Sequence, residues 1–208
     1  MLIGVDLDNT IICYDKLFYS VALEYGWISA STPKTKERVK KHVLESLGNE
    51  TWTLLQVQVY GPRLNKAEPY PHVLDFFKAC KKADIGTTII SHKTKSSALG
   101  EPYDLRTAAK NWLINNGFVD TKDTNLSDLN VCFYETREEK IDAISANGCN
   151  IFIDDLPEVF DDLSFNPIIQ RILFDPNHYH KDTKPYTIAH TWTEVMSDVS
   201  LIVGSTLK

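Results

Sequence analysis

No stretch of the sequence approaches the roughly 18 consecutive apolar residues that a membrane-spanning helix needs. The N-terminus also lacks a basic segment followed by a long apolar one. We therefore expect a chain that neither crosses nor anchors to a membrane. Cysteine is scarce: four in 208 residues, Cys13, Cys80, Cys132 and Cys149, with no CxxC pair and mostly apolar neighbours. Thiols so spaced read as small buried residues kept reduced in a cytoplasmic setting. Net positive charge is missing too. Twenty-two basic against 28 acidic side chains leave a formal charge of -6, which works against binding a nucleic-acid polymer. Internal repeats and low-complexity segments are absent, and 43% of positions are apolar, which excludes disorder and collagen.

What is present is an alternation. Short apolar runs rich in β-branched residues at 2–5, 87–90, 131–133, 151–153 and 168–174 read as buried strands. Between them lie helical patterns: Val73, Leu74, Phe76 and Phe77, then 105–114, then 140–146. Alternating strand and helix predicts an α/β fold, an open parallel Rossmann-like sheet flanked by helices, whose strand carboxyl ends share one ligand-binding edge. The alternation stops between residues 14 and 70, far longer than an ordinary strand-to-helix connection. Within it, 17–25 and 34–47 read as helices, and 51–60 fits both strand and helix spacing and is read as helix. The expected organisation is a core of 1–13 and 71–208 with a small, mostly helical cap, 14–70, inserted after the first strand.

The first strand runs directly into Asp6-Leu7-Asp8-Asn9-Thr10. Two carboxylates on alternate residues point the same way at the strand's end, although an Asp-rich turn would look no different. The fourth strand ends in Asp154-Asp155. Four carboxylates gathered on one edge repel one another without a cation, and hard oxygen ligands suit Mg²⁺. A helix start before Pro157 is the plainer reading of the second pair, and it leaves Asp6 and Asp8 unexplained. Ser91 ends the second strand, where its hydroxyl can reach a phosphate oxygen or simply cap a helix. Lys140 follows Arg137-Glu138-Glu139, and can offer a point charge to the same phosphate or lie on a solvated helix face.

Taken in order, Asp6-Leu7-Asp8-Asn9-Thr10, Ser91, Lys140 and Asp154-Asp155 resemble the four motifs of the haloacid dehalogenase superfamily, over the whole chain. The resemblance implies Mg²⁺-dependent phosphoryl transfer through an aspartyl-phosphate, under a mobile cap. It makes Asp6 the nucleophile and Asp8 the general acid and then base. Ser91 and Lys140 would hold the phosphoryl oxygens. Asp6, the backbone carbonyl of Asp8 and Asp154 would bind the metal, with Asp155 adjacent or acting through water. The superfamily's dehalogenases lack an aspartate in the place of Asp8, so the chain looks like a phosphatase of a small phosphorylated metabolite, a sugar phosphate or nucleoside monophosphate. A phosphomutase or phosphotransferase using the same intermediate, and a non-catalytic phosphometabolite-binding protein, are the alternatives.

Substrate selection is less legible. His92 and Lys93 head a polar loop running through Gly100-Glu101-Pro102-Tyr103, and they suit either phosphate or sugar contact or plain exposure. Residues 31–66 hold seven Lys or Arg and three Asp or Glu. That excess would attract small anions, though a solvated helix face has the same composition. Trp27, Trp52 and Tyr60 could stack on a base or merely pack. The loop and the Trp112 helix bear some likeness to the superfamily's deoxyribonucleotidases and to small phosphatase-like proteins of bacterial sugar biosynthesis. His178 and His180, beside Lys181 and Asp182, lack the third ligand a metal site needs. A reactive carboxylate six residues from the start leads us to expect no cleaved leader.

Overall fold

A computed structural model describes residues 1–97, 99, 103–181, 185–204 and 207. Gly100, Glu101 and Pro102 of the loop after Ser91, and Asp182, lie outside the described residues.

Strand β1 (Leu2–Val5) is followed by β2 (Ile12–Cys13), α1 (Asp15–Glu24), α2 (Lys36–Tyr60), β3 (Glu68–Pro69), α3 (Val73–Lys82) and β4 (Gly86–His92). The chain continues through α4 (Leu105–Asn115), β5 (Val131–Tyr134), α5 (Arg137–Ala146), β6 (Ile151–Asp154), α6 (Pro157–Phe160), β7 (Gln170–Phe174), β8 (Thr187–Ala189) and α7 (Trp192–Val203). Six strands form one parallel sheet in the order β5-β4-β1-β6-β7-β8. The architecture is the expected α/β sheet flanked by helices.

Side chains alternate across the sheet and build two cores. Ile151 and Ile153 of β6 join Ile3, Val5, Phe76, Trp112 and Trp192 on one face. Phe152, between them in sequence, joins Ile90, Leu173, Ile144 and Phe160 on the other. Gly4 makes room for that ring: a Cβ there would stand 2.6 Å from Phe152 and 2.8 Å from Cys149 Sγ. All four cysteines are free, and no helix among the described residues is long and apolar enough to cross a membrane.

The long excursion after β1 is helical, including 51–60. Thr35 caps α2 by accepting from the Arg38 N–H, and the helix breaks at Gly48, where φ is +86°. Phe18 of α1 stacks on Trp52 of α2 with ring centroids 5.0 Å apart. The short antiparallel pair β2 and β3, Ile12 opposite Pro69 and Cys13 opposite Glu68, ties together the two ends of the excursion.

The expectation for 168–174 is corrected at its start. Asn166 accepts from the Ile168 N–H in a turn, Ile168 is exposed, and the strand begins at Gln170. Strand β8, the β2–β3 pair and α7 are additions that the apolar runs did not predict.

Candidate active site

The carboxyl ends of β1, β4 and β6 lie side by side, and the predicted residues sit there. The chain leaves β1 with the Asp6 N–H still donating to Ile153 of β6 at 2.9 Å. It then folds back, with Ile11 and Ile12 N–H both donating to the Leu7 carbonyl, through Asn9 at φ +62°. Asparagine is among the few side chains that tolerate that conformation. From α7, Trp192 Nε1 donates to the Thr10 carbonyl at 3.1 Å and braces the loop from below.

Asp6 and Asp154 are buried and share one cation. Lys140 Nζ lies 2.7 Å from Asp6 Oδ1 and 2.6 Å from Asp154 Oδ2. Its placement follows from the start of α5, where Thr136 Oγ1 accepts from the Glu139 N–H while Glu139 reaches back to the Thr136 N–H. That reciprocal cap fixes where the helix begins and so where Lys140 emerges. Burial works to lower the Lys140 pKa, but the Asp154 and Asp6 charges outweigh it and hold the ammonium above the ordinary lysine value. Burial pushes Asp154 up to about 6, with Lys140 opposing. Asp155 is also raised, by burial and then by the Asp154 and Asp6 charges. Thr10 Oγ1 links the two sides, 3.5 Å from Asp6 Oδ2 and 3.3 Å from Asp155 Oδ1.

Oxygen atoms of Asp6, Asp154 and Asp155 all fall within 4.8 Å of one another. Three carboxylates against one ammonium leave an excess of negative charge in a confined space. An all-oxygen donor set of that charge fits a hard divalent cation such as Mg²⁺.

The Asp8 carboxylate stands outside that cluster. Tyr14 OH donates to Oδ1 at 2.5 Å and Lys93 Nζ to Oδ2 at 2.6 Å. Burial, then the Asp8 charge, keep the Tyr14 hydroxyl well above the ordinary tyrosine pKa, so it remains a donor. Lys93 is buried, with its ammonium 5.2 Å from the Tyr60 ring centre. Lys36, from the first turn of α2, donates to Asn9 Oδ1 at 3.0 Å over the Phe18 and Tyr60 rings. Burial works to lower its pKa, but Tyr60, Asp155 and Asp8 outweigh it and leave Lys36 raised.

Of the other predicted residues, Ser91 is buried at the end of β4, and its Oγ has no hydrogen-bond partner among the described residues. His92 is not brought to the site. Strand alternation turns it away from Ser91 and Lys93, and its Nε2 lies 2.9 Å from the Glu135 carbonyl oxygen. Trp52 and Trp112 are core residues, Trp112 donating to the Ala67 carbonyl. His178 faces His190 at 3.8 Å between ring centres, and neither belongs to an acidic or metal-ligating cluster among the described residues.

Tyr14, Thr10 and Lys36 are the contributors that sequence reasoning missed. Thr10 lay in view within the quoted motif. Lys36 becomes a neighbour of Asn9 only through the packing of α2, whereas Tyr14 reaches Asp8 from six residues along the chain. A cleft of about 640 Å³ opens from Asn9 and Asp155 between the first turns of α2, including Lys36 and Lys40, and the loop that carries Asp175 and Tyr179.

No protein-family model matches the chain, and no curated protein does. Solved structures match over its whole length. A haloacid dehalogenase (HAD) family hydrolase from Deinococcus radiodurans R1, with bound phosphate and sodium, is 11% identical, covering 100% of this chain and 98% of its own, with a TM-score of 0.58. A HAD phosphatase from Thermococcus onnurineus is 13% identical over 100% and 99% of the two chains, with a TM-score of 0.52. A dehalogenase is 13% identical over 94% and 95%, with a TM-score of 0.55. Likeness at this level of identity establishes the fold.

Proposed function

We propose that this chain, which has the fold of the haloacid dehalogenase superfamily, is a Mg²⁺-dependent phosphomonoesterase acting on a small phosphorylated metabolite through an aspartyl-phosphate on Asp6. The observation that carries the reading is the division of labour between two carboxylates two residues apart. Asp6 belongs to the buried cluster with Lys140, Asp154 and Asp155, whereas Asp8 is held apart by Tyr14 and Lys93. That separation supports Asp6 as the nucleophile and Asp8 as the proton carrier. Dehalogenase chemistry gives Asp8 nothing to do.

Asp6, Asp154 and Asp155 would hold the cation, as would the Asp8 carbonyl that the motif implies. When bound, Mg²⁺ offsets the repulsion between an anionic nucleophile and an anionic phosphate. In the first step an Asp6 oxygen bonds to phosphorus while the ester bond breaks, and the leaving oxygen takes a proton from Asp8. In the second, Asp8 takes a proton from water, whose oxygen bonds to phosphorus. The Asp6–phosphorus bond breaks and phosphate leaves. Lys140 and the unpaired Ser91 hydroxyl would hold the phosphoryl oxygens, as the motifs imply.

The test is phosphate release from sugar phosphates, nucleoside monophosphates and 4-nitrophenyl phosphate, with Mg²⁺ or EDTA, for wild type beside Asp6→Asn. Release that needs Mg²⁺ and disappears in the variant supports the reading and ranks the substrates. No release from any compound overturns it.

A further inference from the structure

The geometry points to Lys93 and Tyr14 as a pair of positioning residues that clamp Asp8 by opposite oxygens, with Lys93 not a phosphate ligand. This inference rests on the phosphomonoesterase reading of the same site.

Lys93 differs from Lys140 in the carboxylate it serves: its ammonium is 2.6 Å from Asp8 Oδ2, whereas Lys140 lies on Asp6, the residue that would carry the phosphoryl group. Lys93 is also walled in, with the Tyr60 ring 5.2 Å away on another side and that ring packed edge-on against Tyr14 at 4.9 Å. Its backbone is fixed as well, the Lys93 N–H donating to the Tyr134 carbonyl and the Lys93 carbonyl accepting from Arg106 Nε. Lys140 and Ser91 already suit the phosphate.

The donor and acceptor inventory then determines what the clamp does. An ammonium has only donors, and the Tyr14 hydroxyl donates here as well, so each Asp8 oxygen accepts one hydrogen bond. The two contacts on opposite oxygens fix the rotamer and plane of the Asp8 carboxyl group, so that the acid is held in one orientation. Because Lys93 immediately follows β4 and Tyr14 immediately precedes α1, the clamp takes one jaw from the end of a core strand and the other from the start of the inserted helical segment.

A clamp on the acid has a kinetic signature that damage to the fold or to phosphate binding lacks. The value of kcat/KM reports the steps up to the transfer to Asp6, and protonation matters there only when the leaving oxygen is basic. The experiment measures kcat/KM for 4-nitrophenyl phosphate, whose leaving group needs no proton, and for phenyl phosphate, whose phenol has a pKa of about 10, like tyrosine. Lys93→Met is compared with wild type and with Tyr14→Phe, which keeps the ring.

For Lys93→Met we expect kcat/KM on phenyl phosphate to fall about 100-fold, within the range general acids supply, and on 4-nitrophenyl phosphate by less than about threefold. Tyr14→Phe should shift the ratio in the same direction by a smaller factor. Equal losses on both esters in Lys93→Met, or no loss on either, overturn the clamp while leaving the phosphomonoesterase reading in place. Wild type that releases phosphate from neither ester, nor from any sugar phosphate or nucleoside monophosphate, overturns both.

Discussion

The Lys140 ammonium lies 2.7 Å from Asp6 Oδ1 across 134 residues of sequence, and both groups are shut away from water. Removing one partner of a buried ion pair costs far more than the pair contributes, because the other charge is stranded. Lys140→Ala strands Asp6 and Asp154 together. It should destabilise the metal-free protein by about 3 kcal/mol, and Mg²⁺ should restore part of that. Chemical denaturation with and without the cation checks both statements. Turnover of 4-nitrophenyl phosphate should fall as well.

Metal binding should be visible as stability and should depend on pH. Burial raises Asp154 to about 6, from an unfolded value near 4. Between those values the folded chain binds more protons than the unfolded one, so the metal-free protein loses stability as pH rises through the window. Mg²⁺ competes with those protons. Its increment in Tm should therefore grow from about pH 5 to about pH 7, reaching about 5 °C at saturation, and should vanish in Asp154→Asn. Differential scanning fluorimetry with Mg²⁺ or EDTA at each pH reads this directly.

Much of this was legible in the sequence, for a physical reason. Strands such as 151–153 are buried on both faces and so read as unbroken apolar runs, and the motif carboxylates stand at their ends. Strand β8 is only three residues long and offers no periodicity, whereas α7 does carry a helical pattern, Trp192, Val195 and Val199 buried with Glu194 and Asp198 four apart, that went unread. Thr191 accepting from the Glu194 N–H was the available signal for the start of α7. The sequence leaves His92 as either a substrate contact or an exposed residue; it lies on the opposite side of the strand from Ser91 and Lys93, as alternation dictates, with Nε2 near the Glu135 carbonyl. Lys36 was invisible for a deeper reason: its contact with Asn9 arises from tertiary packing of α2 against the loop, which no local pattern encodes, while Tyr14, six residues from Asp8, needed the loop's turn to be known.

Gly4 tests the packing beneath the site. A methyl group there meets Phe152 at 2.6 Å inside a close-packed layer, and overpacking of that kind costs about 1–3 kcal/mol. Gly4→Ala should lower Tm by several degrees while kcat per folded molecule stays near wild type. Melting curves together with active-site-normalised rates separate the two effects.

Trp192 tests the brace under the loop. Trp192→Phe keeps an aromatic ring but deletes the Nε1 donor to the Thr10 carbonyl, leaving a buried acceptor short of a partner at about 1–3 kcal/mol. Because Thr10 lies beside Asp6 and Asp155, catalysis should suffer along with stability. Steady-state rates well below the melting transition should fall severalfold, in contrast to Gly4→Ala.

The central claim is that Asp6 carries the phosphoryl group. Its most direct test is acid quenching of Asp8→Asn protein during turnover of 4-nitrophenyl phosphate with Mg²⁺, followed by peptide mapping. Loss of the Asp8 base slows the second step, so the account predicts a phosphoryl group on the peptide containing Asp6 and none in the Asp6→Asn, Asp8→Asn double variant. An unmodified Asp6 peptide, together with phosphate release that persists in Asp6→Asn, would contradict it.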